Sequence, residues 1–418
     1  MSIKKFFDFA KFLNIPVKTT EAKKLKNNRV TAILNNIIVI LTDFHFLLGI
    51  MRHLFIFIFF FFYCNFIESS NDIDLSLLKI KQGFAISIFA EDLDAPRQMA
   101  EGHQGTIFVG EKSGQIIALV DSDKNGQVDS KRLIASNLTY ATGVSMFNGD
   151  LYFSEISKIW KIIAIEDWLK ANIEGMPEKV LVTDELPDDK WHGWKWLKHD
   201  AAGGLYLNVG APCNVCLSDN SKHASILKFH NNQWEYVAKG VRNSVGFDFH
   251  PISNKLFFTD NGRDWLGDDS PSCELNRVDI NGMFYGFPYK HAVNMVDPEF
   301  GQISSGYNFI DPILELGAHV APTGIAFYNG FSFPDNFRNT LFITLHGSWN
   351  RSQKVGYKVL RVEIDEAGEV IAVEDFITGW LQGQTVIGRP SAPFVLSDGS
   401  LLISDDQANV IYRITHTQ

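Results

Sequence analysis

Cysteines, charges and basic runs are scarce in this sequence. Only 4 of its 418 residues are cysteine, too few for a disulfide framework to determine the fold. Charged residues make up 21% and apolar residues 45%, which excludes a disordered chain and allows a large hydrophobic core. Acidic residues outnumber basic ones by 48 to 38, and no long Lys/Arg run follows the amino-terminal region. Nucleic acid is therefore not expected as a partner.

The first 70 residues differ from the rest in composition. Eight basic and two acidic residues precede residue 30, and an apolar run, LFIFIFFFFY, occupies residues 54–63. Ten apolar residues suit a signal peptide, whereas a membrane span needs about 20. Two hypotheses stay open, a signal peptide that begins at Met51 and an uncleaved anchor over residues 47–66. In either case we expect residues 1–70 to be a basic leader with a signal peptide or membrane anchor, and residues 71–418 to form one exported, periplasmic domain.

A strand, turn and strand pattern recurs six times after about Leu77. The aligned strand positions are Ile107, Leu151, Leu205, Leu256, Leu341 and Leu401, at intervals of 44, 54, 51, 85 and 60 residues. Periods of this length with several short strands per repeat predict an all-β fold, a six-bladed β-propeller. The longest interval predicts an insertion, which we place around Tyr285 to Pro312. Helical periodicity is nearly confined to Ile165–Ile173, which disfavours a parallel α/β sheet.

A short polar motif precedes each repeated strand pair by about 10 to 20 residues. The six motifs are Pro96-Arg97-Gln98, Tyr140-Ala141-Thr142, Trp191-His192-Gly193, Arg242-Asn243-Ser244, Ala321-Pro322-Thr323 and Gly388-Arg389-Pro390. The innermost strand of a propeller blade begins beside the central channel, so these motifs should converge on one axial site. A histidine and up to three unpaired arginines there would favour an anionic ligand. Alternatively, the arginines are paired with carboxylates across blades.

Four segments resemble the soluble quinoprotein sugar dehydrogenases, most closely their L-sorbosone dehydrogenase-like branch. They are HGWKWLKHDAAGGLYLNVGAPCNVC (192–216), RNSVGFDFHPISNKLFFTDNGRDWLGDD (242–269), LHGSWNR (345–351) and GRPSAPFVLSDGSLLISDD (388–406). The resemblance covers about Gly83 to Thr415. It implies a six-bladed propeller that holds pyrroloquinoline quinone (PQQ) and Ca²⁺ and oxidises an aldose or a related sugar aldehyde at the aldehyde carbon.

The resemblance also implies roles for individual residues. His192 would be the catalytic base, and Gly262 and Arg263 would hold calcium through their main-chain carbonyls. The residues matched to cofactor contacts are Arg242, Asn243, Asn261, Thr323 and Arg389. A lysine that contacts the cofactor in the glucose branch has no clear counterpart, and His346 or Arg351 could replace it.

The residue types suit this chemistry. The three carboxylates of PQQ match the forked donors of arginine, and Ca²⁺ accepts carbonyl oxygens. Neutral imidazole suits removal of a hydroxyl proton while a sugar hemiacetal loses a hydride. A histidine flanked by Trp191 and Trp194 would ordinarily be read as a packing residue, but its place among the polar motifs favours a catalytic role. The expected partners are a small sugar or aldehyde and an electron acceptor such as a cytochrome or a quinone.

Two other functions remain as alternatives. A calcium-dependent lactonase on a six-bladed propeller would need an axial metal held by carboxylates and amides, which the basic motifs disfavour. A propeller that only binds sugar or protein is the other alternative. Redox titration with added quinone would separate them, because only a dehydrogenase gains dye-reducing activity.

Three further signals are weaker. The run DSDKNGQVD (121–129) resembles a calcium loop, but Arg132 stands where a bidentate glutamate is expected, and a solvated hairpin turn is the favoured interpretation. Cys213 and Cys216 form a CxxC motif without a second pair for zinc, which in an exported protein predicts a local disulfide and leaves Cys273 free. The acidic residues Asp268, Asp269 and Glu274 are either substrate contacts or part of a solvated turn.

Overall fold

The computed structural model describes residues 73–303 and 306–417. They belong to one compact unit, Ile73–Gln418. The predicted leader and membrane segment, residues 1–70, lies outside the described residues. Within the two described ranges, no helix has the length and apolar character required to cross a bilayer.

Six sheets follow one another along the chain, and each is one propeller blade, which confirms the predicted six-bladed propeller. After β1 (Lys79–Ile80) and β2 (Phe84–Ala90), blade 1 contains β3 (Pro96–Glu101), β4 (Ile107–Glu111), β5 (Gln115–Val120) and β6 (Ser130–Ala135). Blade 2 contains β7 (Val144–Phe147), β8 (Asp150–Ser154), β9 (Ile159–Ile162) and β10 (Val180–Thr183). Blade 3 contains β11 (Leu197–His199), β12 (Leu205–Val209), β13 (Ser225–His230) and β14 (Gln233–Lys239).

The second half of the ring has the same plan. Blade 4 contains β15 (Phe247–Phe249), β16 (Leu256–Asp260), β17 (Ser272–Arg277) and, after β18 (Met283–Phe284), β19 (Lys290–His291) and β20 (Met295–Val296), its outer strand β21 (Leu314–Ala318). Blade 5 contains β22 (Pro322–Phe327), β23 (Leu341–Leu345), β24 (Lys358–Ile364) and β25 (Val370–Thr378). A hairpin of β26 (Leu381–Gln382) and β27 (Thr385–Val386) leads to blade 6, which contains β28 (Pro390–Val395), β29 (Leu401–Asp405) and β30 (Val410–His416).

Helices are few in the described part of the chain. The α-helix α1 (Ile165–Lys170) lies between β9 and β10, within the stretch for which the sequence predicts helical periodicity. Short 3₁₀ turns occupy Leu75–Leu77, Gly301–Ile303 and Asp335–Phe337.

The second strand of each blade is the reason that the repeat is visible in the sequence. In five blades this strand is buried along its whole length, with sequences IFVGE, LYLNV, LFFTD, LFITL and LLISD. Such a strand is covered on both faces by the neighbouring blades, so its apolar residues run continuously and do not alternate.

The ends of the described chain close the ring. Strand β2, from the amino-terminal part, pairs antiparallel with β30 as the outermost strand of blade 6. Strand β1 pairs in the same way with β25 of blade 5. The last blade is therefore assembled from both ends of the domain.

The predicted insertion is confirmed, and it lies between the third and fourth strands of blade 4. Within it, β18 adds to blade 3 as a parallel neighbour of β14, and β19 and β20 form a small hairpin. Its side chains Asp297 and Glu299 bind Arg263, in the loop that follows β16, through ion pairs. The insertion is thus attached to the end of the propeller where the polar motifs lie.

Candidate active site

The six polar motifs open or shortly precede the innermost strands β3, β7, β11, β15, β22 and β28, as the repeat predicts. A carboxylate at the end of the second strand anchors two of them to the sheet. In blade 4, Asp260 accepts the backbone N–H groups of Arg242 at 2.8 Å and Asn243 at 2.6 Å. In blade 6, Asp405 accepts the backbone N–H of Arg389 at 2.7 Å. These hydrogen bonds fix the backbone positions from which the side chains of Arg242, Asn243 and Arg389 extend.

A cavity of about 240 Å³ lies among the loops of blades 3, 4 and 5. It brings together five of the eight predicted site residues, namely His192, Arg242, Asn243, Asn261 and Gly262. A second cavity of about 290 Å³, on the side of Ala211 and the Cys216 loop, contains none of the eight. The first cavity is the candidate active site, because the groups that can do chemistry converge there.

The contacts of His192 determine which of its ring nitrogens is free. Nδ1 lies 2.9 Å from the carbonyl oxygen of Ala211, and a carbonyl can only accept, so Nδ1 carries the hydrogen. The other nitrogen, Nε2, then has a free lone pair, and no hydrogen-bond partner in the described ranges occupies it. Burial, followed by the positive charge of Arg242, holds the pKa of His192 well below its usual value. The ring is therefore neutral near pH 7 and can accept a proton at Nε2.

The backbone around His192 supports this placement. His192 has a φ of +53°, an uncommon conformation for a residue with a large side chain. Gly210, just after β12, makes room for it, because a Cβ on Gly210 would lie 2.4 Å from the Cβ of His192. A glycine is therefore required at position 210, because any side chain there would collide with His192.

Arg242 is buried at the edge of the cavity and is largely paired within the protein. Its guanidinium forms a 3.0 Å ion pair with Asp264 and donates to the carbonyl oxygen of Asn261 at 3.1 Å. It also donates twice to Asn214, at 2.8 Å to the main-chain oxygen and at 2.7 Å to Oδ1. The cavity therefore has a rigid cationic group whose charge is balanced by Asp264.

Several oxygen atoms of the cavity lining and of Arg263, the residue that follows Gly262, have no donor. The side-chain Oδ1 of Asn243 is buried without a hydrogen-bond partner, although burial of an unpaired polar atom is costly. No donor from the described residues reaches the carbonyl oxygens of Gly262 or Arg263. Asn261 keeps its own position by donating from Nδ2 to the carbonyl oxygens of Asn243 and Pro322, both at 3.0 Å. Unpaired oxygens of this kind are the ligands that a hard cation such as Ca²⁺ accepts.

Two buried carboxyl groups occupy paired positions of β16 and β17, next to the cavity residue Cys273. Asp260 and Glu274 are cross-strand partners. Burial raises the pKa of both above the usual carboxyl range, and the charge of Asp260 adds to the effect on Glu274. Burial likewise raises the pKa of the Cys273 thiol to about 11, so this free cysteine is not a thiolate near pH 7.

Three of the eight predicted residues, Arg263, Thr323 and Arg389, do not line the cavity. The guanidinium of Arg263 binds the insertion. The hydroxyl of Thr323 donates to the carbonyl oxygen of Ser391 at 2.7 Å, between blades 5 and 6. Arg389 donates to Nδ1 of His346 at 3.3 Å and to the hydroxyl of Tyr357 at 3.1 Å. Their assignment to calcium or to the cofactor stays a prediction.

The arginines of the polar motifs are not all unpaired. Arg97 binds Asp406 at 2.6 Å and Arg242 binds Asp264, so the alternative of pairing with carboxylates applies to these two. Arg389 has no carboxylate within ion-pair distance in the described ranges. The positive charge available to an anion at this end of the propeller is therefore smaller than three free arginines would give.

A family model, TrAA12-like, matches residues 78–382 of the sequence. The chain belongs to the TrAA12-like family. An uncharacterized protein of Borreliella burgdorferi is 36% identical over 351 residues, which cover 81% of this chain and 91% of that protein. The pyrroloquinoline quinone-dependent pyranose dehydrogenase of Coprinopsis cinerea is 24% identical over 341 residues, covering 68% of this chain. The match spans 44% of the Coprinopsis enzyme.

Solved structures share the fold of this TrAA12-like chain. The holo form of the PQQ domain of the Coprinopsis cinerea pyranose dehydrogenase has a TM-score of 0.69 and 19% identity, covering 81% of this chain and 97% of that one. The PQQ-bound aldose sugar dehydrogenase of Streptomyces coelicolor has a TM-score of 0.55 and 16% identity, covering 81% and 99%. The characterised relatives and neighbours named here are thus PQQ-dependent sugar dehydrogenases. The comparisons do not single out the L-sorbosone branch, which stays a prediction.

The structure adds residues that sequence reasoning did not place in the cavity. Asp264, Cys273, His319 and Trp349 line it, together with Trp191, which belongs to the same polar motif as His192 but is not among the eight predicted site residues. His319 donates from Nε2 to the carbonyl oxygen of Gly267 at 2.7 Å, which leaves its Nδ1 free. The signal for His319 was present, because it lies two residues before the motif that opens blade 5.

The acidic loop of blade 1 lies elsewhere. Asp121, Asp123 and Asp129 form the one group of three or more His, Cys, Asp or Glu side chains in the described ranges that could converge on a metal ion, with ligand atoms within 4.8 Å of one another. The loop joins β5 and β6, and no axial carboxylate cluster of the lactonase type accompanies it in the same ranges. Its calcium-binding interpretation stays a prediction.

The predicted disulfide is present, and the loop that it closes supports Arg242. Cys213 and Cys216 are bonded, and Asn214 lies between them. Besides accepting twice from Arg242, Asn214 accepts the backbone N–H of Asp264 at 2.8 Å and donates to the carbonyl oxygen of Asp264 at 3.1 Å. Asn214 therefore holds both members of the Arg242–Asp264 pair.

If Arg242 holds a carboxylate of PQQ, as the family resemblance implies, Asn214→Ala should weaken PQQ binding by about ten-fold while kcat at saturating cofactor changes little. The reason is that each lost hydrogen bond to a charged group is worth about 1.5 to 3 kcal/mol, part of which orients Arg242. The measurement is a cofactor titration followed by absorbance. Asn220→Ala, in the same inter-strand loop but away from Arg242, is the matched control. Equal titrations for Asn214→Ala and the unaltered protein would exclude this positioning role.

Proposed function

We propose that this protein is a PQQ- and Ca²⁺-dependent dehydrogenase that oxidises an aldose or a sorbosone-like sugar aldehyde. The observation that carries the proposal is the free Nε2 of a neutral His192 in the same cavity as a set of donor-free oxygens. A base and a cation cradle in one cavity of a TrAA12-like propeller support a sugar-oxidising site. The names of its relatives agree with this reaction class.

The residues present fit both groups. The carbonyl oxygens of Gly262 and Arg263 and the buried Oδ1 of Asn243 lack donors, and Ca²⁺ needs six to eight oxygen ligands. Because Asp264 already balances Arg242, that pair alone would not neutralise a cofactor with three carboxylates. A divalent cation in the cradle would supply the missing charge. Arg389, which lacks a carboxylate partner in the described ranges, would supply more if the cofactor reaches blade 6.

Arg242, Asn243 and Asn261 would hold the cofactor, and the carbonyls of Gly262 and Arg263 would hold calcium. The chemistry that the bound cofactor supplies is acceptance of a hydride from the anomeric carbon of the sugar. His192 would take the proton of the anomeric hydroxyl at Nε2, while Nδ1–H keeps the ring oriented through Ala211. An electron acceptor such as a cytochrome or a quinone would complete the cycle.

Reconstitution tests the proposal. Purified full chain with PQQ and Ca²⁺ should reduce an artificial dye when given aldoses or sorbosone, and chelation of Ca²⁺ should abolish the reaction reversibly. The control is the same protein without PQQ. Absence of dye reduction at saturating PQQ with any sugar of the panel would contradict the proposal, and lactone hydrolysis in its place would favour the lactonase alternative.

We also propose that the domain is exported and acts in the periplasm, either released or held at the inner membrane by its amino-terminal segment. The Cys213–Cys216 disulfide supports this, because disulfides persist in oxidising compartments. A reporter that is active only outside the cytoplasm, fused after Asn71, tests it with start sites at Met1 and Met51. Activity from neither start would contradict export, and activity only from Met1 would favour the anchor.

A further inference from the structure

The most exposed tryptophans of the protein surround the candidate active site. Trp191, Trp265 and Trp349 are 51%, 69% and 63% exposed. The other six tryptophans of the sequence, all in the described ranges, are buried or half-buried. Trp191 and Trp349 line the cavity, and Trp265 contacts Trp349 from outside it. Large apolar side chains concentrated at one exposed place mark a binding surface.

The arrangement of the rings is a corner and not a flat patch. The rings of Trp265 and Trp349 lie 5.5 Å apart between centroids at an angle of 86°. One ring therefore presents a face where the other presents an edge. A stable protein partner needs a broad surface of about 1,000 Å² or more, whereas a corner of two indoles suits one small cyclic group.

An ion pair and hydrogen bonds join the two loops that carry Trp265 and Trp349. Arg351, two residues after Trp349, binds Asp269 at 3.0 Å and also donates to the carbonyl oxygen of Asp268, while the backbone N–H of Ser352 donates to Asp268 at 3.1 Å. These interactions hold the indoles in place before a ligand arrives, which lowers the entropic cost of binding. They also hold a carboxylate and a guanidinium group on the same two loops as the rings.

We infer that Trp191, Trp265 and Trp349 form a saccharide platform, which binds the sugar units beyond the one that enters the cavity. The inference rests on the proposed function and adds the substrate class, an oligosaccharide with its reducing end at His192. The C–H face of a pyranose ring carries slight positive charge and matches the electron-rich face of an indole. Asp269 and Arg351, on the same loops as Trp265 and Trp349, offer polar groups to the hydroxyls of the sugar.

The position of the platform next to the cavity indicates the direction in which a bound saccharide chain would run. Trp349 lines the cavity and touches Trp265, so a chain that leaves the cavity past Trp349 meets Trp265 next. Binding energy from such remote units can be used to hold the reacting unit in position. The platform thus predicts a preference for chains over single sugars.

Direct binding to the purified full chain without added cofactor tests this. Calorimetric titrations with glucose and with β-1,4-linked and α-1,4-linked glucose oligomers of two to four units are the probes. In one of the two series the affinity should rise roughly ten-fold from one unit to three, equivalent to about 1.4 kcal/mol. Trp349→Ala and Trp265→Ala should each remove most of this gain, and Trp265→Ala, which changes no residue of the cavity lining, should leave glucose binding unchanged. Affinity that does not depend on chain length in either series would overturn the inference.

The matched control is Phe331→Ala, which removes an aromatic ring that is even more exposed than the two indoles and lies in the loop that follows β22. It should leave every titration unchanged. Because all three side chains are exposed, the variants should keep the unfolding temperature of the unaltered protein. Trp349→Tyr, which keeps an aromatic face, should retain part of the gain.

Kinetics separate this inference from the proposed function. With PQQ and Ca²⁺, Trp265→Ala should raise KM for the preferred trisaccharide by the same factor as the dissociation constant, with kcat unchanged. Chain-length-dependent binding without turnover would contradict the dehydrogenase alone, and turnover without chain-length dependence would contradict the platform alone. If Trp265→Ala slowed reduction of added cytochrome c and left saccharide binding intact, the platform would belong to the electron acceptor, and the inference would be overturned.

Discussion

His192→Asn is expected to lower kcat by about 10² to 10⁴, the usual contribution of a general base, while PQQ titrates the variant as it does the unaltered protein. Asparagine tolerates the left-handed backbone that His192 adopts, so the change removes the base without straining the chain. The measurement is dye reduction at saturating PQQ and Ca²⁺, alongside a cofactor titration. Retention of more than about a tenth of the turnover would remove His192 from catalysis.

His319→Asn is the matched control for that experiment. His319 also lines the cavity, has a φ of +61° and donates one ring N–H to a backbone carbonyl. A much smaller loss is expected from it. A larger loss than that of His192→Asn would assign the base to Nδ1 of His319.

The pH profile gives an independent reading of the same group. The depressed pKa of His192 keeps the ring neutral at pH 6.5, where a free imidazole is half protonated. The acid limb of kcat/KM should therefore fall below pH 6.5. By linkage, the unfolded chain takes up the proton more readily, so His192 lowers stability as the pH falls through 6.5. An acid limb at or above pH 6.5 would contradict the assignment.

Arg242→Met is expected to lower the free energy of unfolding by about 3 to 5 kcal/mol, because it leaves the buried carboxylate of Asp264 unpaired. It should also raise the half-saturating PQQ concentration by about ten-fold or more, since a charge-assisted hydrogen bond is worth about 1.5 to 3 kcal/mol. Urea denaturation and cofactor titration measure the two effects separately.

The double variant Arg242→Met with Asp264→Asn resolves the two roles of Arg242. Neutralising Asp264 should recover most of the lost stability, and the cofactor affinity should stay low. If the double variant were no more stable than Arg242→Met, the ion pair with Asp264 would not be what Arg242 contributes to the fold. A cofactor titration like that of the unaltered protein would place Arg242 outside the cofactor site.

The repeated part of the fold could be predicted because its signal is local. The second strands, such as IFVGE and LFFTD, are apolar along their length and bounded by turn residues, so each repeat is recognisable within about 15 residues. The insertion in blade 4 was visible as a longer interval. Strand β2 gave no such signal for its position, because its partner β30 is at the other end of the domain.

The site was predicted in part, and the limits have a physical cause. His192 and Arg242 stand at equivalent places of the repeat, so their convergence followed from the architecture. That Asp264 neutralises Arg242 depends on the fold of one turn, 22 residues away in sequence. The exposure of Trp265 and Trp349 could not be predicted either. Hydrophobicity alone predicts burial for tryptophan, whereas the structure exposes both side chains.

Blade 6 contains strands from both ends of the domain, so it cannot be completed until β30 has been synthesised. Strand β2 ends at Ala90 and its partner β30 begins at Val410, 320 residues later. As a chain leaves the ribosome, β2 is therefore produced long before the strand that pairs with it, and its open edge can meet the wrong neighbour in the meantime. Blades 1 to 4 can form as the chain grows. The earliest moment at which the ring can close is therefore the arrival of β30.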